Sequence, residues 1–284
     1  MSNEIVQFDV KALALPEAET QKYLNLAKLM GGEKDGLEGD LTGTWRPASL
    51  KIVQPVTQDP AKPSTAKNGD FFTKGGLVDR PLKGVVVYGW YSRVRFAGGD
   101  SKPSCGSENV DIRGRGKEDK SVSLYGNSCA SCPYGDQPFT AGKRTSCNNV
   151  INVIVIPENL ENIYQVQFSK SSYSTGQQLL GLLNATNPIW KRFYQFSSEV
   201  KKRDGGGVYH VMSVSPVDLQ ASEPAEHLKA FAQHVSEQVK AQREIDRTRV
   251  RKTVDQVASA GMTKAAMTTK MDIDSPKAGY KDTL

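Results

Sequence analysis

The sequence predicts a mainly β protein with a few helices, and three observations predict it. Residues 84–96 read GVVVYGWYSRVRF, a run of β-branched and aromatic side chains that alternates in its second half. Further short apolar runs, broken by Gly, Asn and Asp turns, continue to residue 216. Helical spacing is confined to three stretches, near 18–30, 175–186 and 226–257. At 284 residues, 38% hydrophobic and 24% charged, the chain can bury a core of one large domain or two small ones, which excludes a fibrous or wholly disordered protein. No window reaches the roughly 18 consecutive apolar residues of a membrane span. The start MSNEIVQFDV lacks the basic-then-apolar layout of a secretory signal, so a cytoplasmic protein is expected.

Taken in order, residues 1–44 read as an N-terminal arm with a short amphipathic helix over Ala18 to Met30, ended by Gly31 and Gly32. The following GGEKDGLEGDLTG is too rich in Gly and charge to pack. Residues 45–216 form the core. Trp45 to Val53 opens it as a strand, a loop follows to about Gly69, and Phe71 and Phe72 begin another extended segment. In the strand from Gly84 to Phe96, period two puts Trp90, Val94 and Phe96 on one face and Tyr91, Arg93 and Arg95 on the other. Strands are predicted at Val150 to Ile156 and Ile163 to Phe168, then a hairpin of Phe193 to Val200 and Val208 to Val214 around Asp204 to Gly207. Between them a helix starts near Thr175, whose hydroxyl can cap GQQLLGLL, and stops before Asn187 and Pro188. Residues 217–260 are a charged helix with Leu228, Phe231, Val235 and Val239 at helical spacing, a surface or interaction helix, and 261–284 a flexible tail with almost nothing to bury. No internal repeat is visible.

Charge is not spread evenly. The formal net charge is +6, and all of it lies between residues 83 and 216, the stretch with two of the three tryptophans. A polyanionic partner for the core is therefore permitted.

Four cysteines are too few for a disulfide scaffold in so long a chain. They stand at Cys105, Cys129, Cys132 and Cys147, so that a C-x-x-C knuckle is flanked by one cysteine at loop distance on each side. Four thiolates complete the tetrahedral shell that zinc prefers. The segments between them are polar and Gly-rich and would gain shape from a metal crosslink, so one structural Zn2+ is expected in an insertion over about 97–149. An iron–sulfur cluster is the alternative, and Cys132-Pro133 has a faint likeness to cluster motifs. A catalytic zinc would keep an open position, and no His or acidic partner recurs near the cysteines.

No reaction is written in the chain. His210, His227 and His234 are remote in sequence from every cysteine, and no phosphate-binding G-x-x-x-x-G-K-[ST], H-E-x-x-H or G-x-S-x-G occurs. A non-enzyme is the reading. Proteins that hold single strands combine a cationic groove with aromatic faces for stacking. Tyr91, Arg93 and Arg95 supply both on one strand; Trp190, Lys191, Arg192 and Tyr194 form a second concentration; Arg113, Arg115, Lys143 and Arg144 add charge within the metal loops. The bland counterpart is that Trp190 and its aromatic neighbours pack the core. A β-rich, cationic unit of this kind suits an OB-like barrel.

From about Leu50 to Pro216 the chain resembles bacteriophage-encoded proteins related to zinc-containing single-stranded DNA-binding proteins. The likeness rests on P-S-C-G-S at 103–107, C-A-S-C-P at 129–133, G-K-R-T-S-C at 142–147, the strand VINVIVIP after it, and Phe168 to Leu183. It implies an OB core with a zinc subdomain, and coating of single-stranded DNA during phage replication, recombination or repair, with replication or recombination proteins as further partners. The end MDIDSPKAGYKDTL departs from the acidic tail common in such proteins. Two rival readings stand beside this one. The first is a zinc-bearing interaction or transcription factor that binds RNA polymerase or a replisome component through the C-terminal helix; the second is an iron–sulfur nuclease.

Overall fold

A computed structural model describes residues 9–31, 46–55, 57, 59–95, 105–107, 147–185, 188–218 and 223–259. Nine strands among them belong to one sheet: β1 (Ala48–Ile52), β2 (Phe71–Thr73), β3 (Gly76–Val78), β4 (Leu82–Arg95), β5 (Cys105–Ser107), β6 (Asn148–Pro157), β7 (Tyr164–Ser169), β8 (Phe193–Lys202) and β9 (Val208–Pro216). Three helices accompany them, α1 (Glu17–Gly31), α2 (Tyr173–Ala185) and α3 (Glu226–Ser259). The strand order is β3-β2-β1-β7-β6-β4-β8-β9, with β5 beside the far end of β4. Only the β1–β7 neighbours run parallel. The sheet curls into a half-barrel that brings β1 back beside β9.

Period two gives this sheet two apolar faces. Val86, Ile151, Val153, Val155, Val166, Phe168, Tyr194 and Phe196 point inward, and Leu179 and Leu183 of α2 pack among them. Val85, Val87, Ile154 and Ile156 point outward and are covered by α1 and α3 through Tyr23, Leu26, Leu228, Phe231, Val235 and Val239. Each such side chain stabilises the fold by roughly 1.5–3 kcal/mol when fully buried. With apolar residues needed on both faces, β6 reads as the near-continuous run VINVIVIP.

The long strand β4 serves both halves of the curl. Its start pairs with β8 and most of its length with β6. One extra residue, Val87, sits between the Val86↔Val155 and Tyr88↔Ile154 pairs, and a bulge of this kind bends a strand. At Gly84 a Cβ would lie 2.6 Å from the Ile156 carbonyl oxygen, so only glycine fits where β4 passes between β6 and β8.

Several expectations change. The N-terminal helix is no loose arm, because Tyr23 and Leu26 are buried and Tyr23 stacks edge-on against Phe231. α2 starts at Tyr173 rather than near Thr175, since a 3₁₀ turn at Lys170–Ser172 runs directly into it and a threonine cap is not required. The apolar stripe of α3 is spent on the sheet, so between Leu228 and Val239 it presents no free apolar face to a partner. Trp45, Phe96 and the tail lie outside the described residues, and no described helix is long and apolar enough to cross a membrane.

Candidate nucleic-acid interface

At the far end of β4, alternation places Tyr91 and Arg93 on the inner side of the curl, as the pattern predicts. Tyr91 is half-buried and packs against the inner cluster. Arg93 is half-buried, and its Nε donates to Asn149 Oδ1 on β6 at 3.2 Å. Arg95 is the last residue of β4 and pairs with Cys105 on β5. On the other side Val94 pairs with Asn148, the residue after the half-buried Cys147. Two of the four cysteines, 42 positions apart in sequence, therefore flank the end of one strand. Cys129 and Cys132 lie outside the described residues, as do Arg113, Arg115, Lys143 and Arg144, and the described residues alone contain no group of three metal-ligating side chains.

The second predicted concentration divides. Tyr194 is fully buried inside the curl and offers no ring to a base, a correction that follows from its inward position opposite Gly84. Trp190, in a 3₁₀ turn at Ile189–Lys191, is half-buried against the outer cluster, and Arg192 is half-buried too. Lys191 is exposed.

On the outer side, where β4, β6 and β7 meet, Asn152 is buried. Its amide donates to Ser92 Oγ at 2.8 Å, and its oxygen accepts from the amides of Gln165 and Gln167, each at 3.0 Å. Trp90, directly opposite Asn152 on β4, lies beneath the guanidinium of Arg243 from α3, 4.2 Å from the ring centroid. This tryptophan is therefore stacked within the fold.

The site that pattern reading misses is a cleft of about 400 Å³ at the seam where β1 and β9 approach each other. Its walls include Ser49 and Lys51 of β1, Ser169 at the end of β7, Lys170, Ser171 and Ser172 of the 3₁₀ turn, and Arg203, Tyr209 and His210 of the β8–β9 hairpin. Three of these residues are cationic, four are serines, and none of the described lining residues is a carboxylate. Lys51 is paired with Asp59, whose carboxyl is held below its usual range chiefly by that hydrogen bond and then by the Ala61 amide. Lys170 is exposed, and Arg203 stacks on Tyr209 at 5.5 Å from the ring centroid.

The seam is clasped by side chains. Gln54 Nε2 donates to the His210 carbonyl at 2.7 Å, and the His210 amide donates to Gln54 Oε1 at 2.8 Å, so one side chain replaces a pair of ladder bonds. The Met212 amide donates to Ser172 Oγ at 3.2 Å. Gly69, at φ +87, lies against the imidazole of His210, where a Cβ would stand 2.6 Å from Nδ1. The signals in sequence were slight: a Ser-Lys-Ser-Ser run between strand and helix, and the cationic end of a hairpin strand.

No family model, curated protein or solved structure matches this chain.

Proposed function

We propose that the protein binds single-stranded DNA, coating unpaired strands during phage replication, recombination or repair, as a cytoplasmic, non-enzymatic protein. The observation that carries this reading is the seam cleft: cations, hydroxyls and an aromatic ring line one concavity that holds no described carboxylate. Phosphates favour the first two and bases the third. The strand order supports an OB-like barrel. Leaving aside β1, the series β7-β6-β4-β8-β9 with α2 between β7 and β8 follows the connectivity of a five-stranded OB barrel, β1 filling the gap between its third and fifth strands.

One structural zinc held by Cys105, Cys129, Cys132 and Cys147 belongs to the same proposal. Thiolates are a fitting donor set, and the sheet brings the first and last of them to either side of β4. Their backbones lie on strands two spacings apart, about 10 Å.

Fluorescence anisotropy with labelled oligo-dT, repeated across salt concentrations, tests the function. Affinity should fall steeply as salt rises, because phosphate neutralisation releases counterions. Equal or tighter binding to duplex of the same length overturns the reading. Metal analysis of the purified protein should return one zinc per chain, lost in Cys147→Ala; a brown protein containing iron overturns that part. Deleting residues 218–284 does not separate this reading from a partner-binding helix, since α3 covers the outer core.

A further inference from the structure

The seam cleft invites a narrower statement, which rests on the single-strand reading but can fail independently of it. Its volume of about 400 Å³ lies at the low end of small-molecule sites, roughly 300–1,000 Å³, and suits one nucleotide better than a run of them. Gln54 bridges the two walls from β1 to β9, so a strand entering the cleft meets a closed seam and cannot pass through it at that point. The chemistry within is also divided. Lys170 and the serines of the 169–172 turn come from one part of the lining, and Tyr209, with Arg203 stacked on it, comes from the β8–β9 hairpin.

We propose that this cleft is the seat of one terminal nucleotide: its phosphate on Lys170, Arg203 and the serine hydroxyls, its base against Tyr209. The backbone that closes the cleft is held in place. His210 is fixed at its backbone by Gln54 and at its ring by Gly69 and by Ser198 Oγ, 3.4 Å from Nδ1. Lys51 is the weaker cation because Asp59 already neutralises it. A terminal phosphate monoester carries more charge than an internal diester, which favours an end in a pocket where Lys170 and Arg203 meet no described carboxylate in the lining.

Calorimetric titration of the full chain at low salt with thymidine 5′-monophosphate, inorganic phosphate and thymidine tests this directly. The monophosphate should bind tightest. Lys170→Gln and Arg203→Gln should each weaken it about tenfold or more, the loss expected for a charge-assisted hydrogen bond, while Lys170→Arg restores it. Tyr209→Ala should weaken the monophosphate by a larger factor than it weakens inorganic phosphate, because the ring also supports Arg203. Circular dichroism melts identify any variant whose loss reflects unfolding, and for such a variant competition by the monophosphate against 5′-phosphorylated oligo-dT on the unaltered protein decides. Absence of monophosphate binding, binding no tighter than inorganic phosphate, or unchanged binding by the Lys170→Gln, Arg203→Gln double variant overturns the proposal. Oligo-dT binding without monophosphate binding sinks the cleft assignment alone. Monophosphate binding without oligo-dT binding sinks the coating function and leaves the cleft.

Discussion

The outer face of the sheet and the seam between β1 and β9 solve opposite problems. On the outer face, α1 and α3 cover Val85, Val87, Ile154 and Ile156, and the partners are apolar, numerous and indifferent to exact direction. At the seam β1 and β9 do not pair through their backbones; Gln54 just after β1 and Ser172 of the 3₁₀ turn each reach the β9 backbone by directional bonds, leaving cations and hydroxyls around a cleft. The first region stabilises the fold by area removed from water. The second gives up area and keeps polar groups available, which is what a binding site requires.

If that division is right, changes in the two regions should have separable effects. The largest is expected at Phe231, fully buried between α1 and the sheet: Phe231→Ala should cost about 3–5 kcal/mol in denaturant unfolding. The nucleotide affinity of the folded fraction should not change, and a parallel loss there would break the comparison. Next comes Gln54→Ala, which leaves the amide and carbonyl of His210 without their partners and should cost about 1–3 kcal/mol. Hydrogen exchange should accelerate at the His210 amide and remain slow at Ile154; uniform acceleration would mean that the clasp supports the whole sheet.

Smaller is a pH effect on the helical layer. Burial, and then the nearby Glu19 carboxylate, push the Tyr23 phenol well above its ordinary value near 10. The folded state therefore keeps this proton where the unfolded chain loses it. The stabilisation is complete below about pH 10 and is lost as pH rises further. Tyr23→Phe should flatten the alkaline fall in stability, and an unaltered slope would assign that fall elsewhere. Least of all, Lys51→Ala should change stability and nucleotide affinity by less than about 1 kcal/mol, because its exposed pair with Asp59 already offsets its charge. A change as large as that of Lys170→Gln would make β1 a principal wall of the site.

Strand existence was legible where alternation or β-branching was dense. β4, β6, β7 and the β8–β9 hairpin fall within a few residues of their predicted bounds, because each has an apolar face that period two writes into the sequence. The docking of α1 was not, since its spacing shows an apolar stripe without saying what covers it. Tyr194 shows the same limit from the other side: Trp190, Arg192 and Tyr194 look alike as a cationic aromatic cluster, and only the register of β8 against Gly84 turns Tyr194 inward. The cleft was least legible. Its walls come from β1, from the turn before α2 and from a hairpin more than 150 residues later, and curling of the sheet alone brings them together.

The pairing of Val94 with Asn148 sets the start of β6 beside the end of β4, although β5 comes between them in the chain. Closing a loop costs only about 0.6 kcal/mol more for each doubling of its length. A change in the number of residues between Ser107 and Cys147 should therefore cost little in loop closure while β4 keeps its register with β5 and β6.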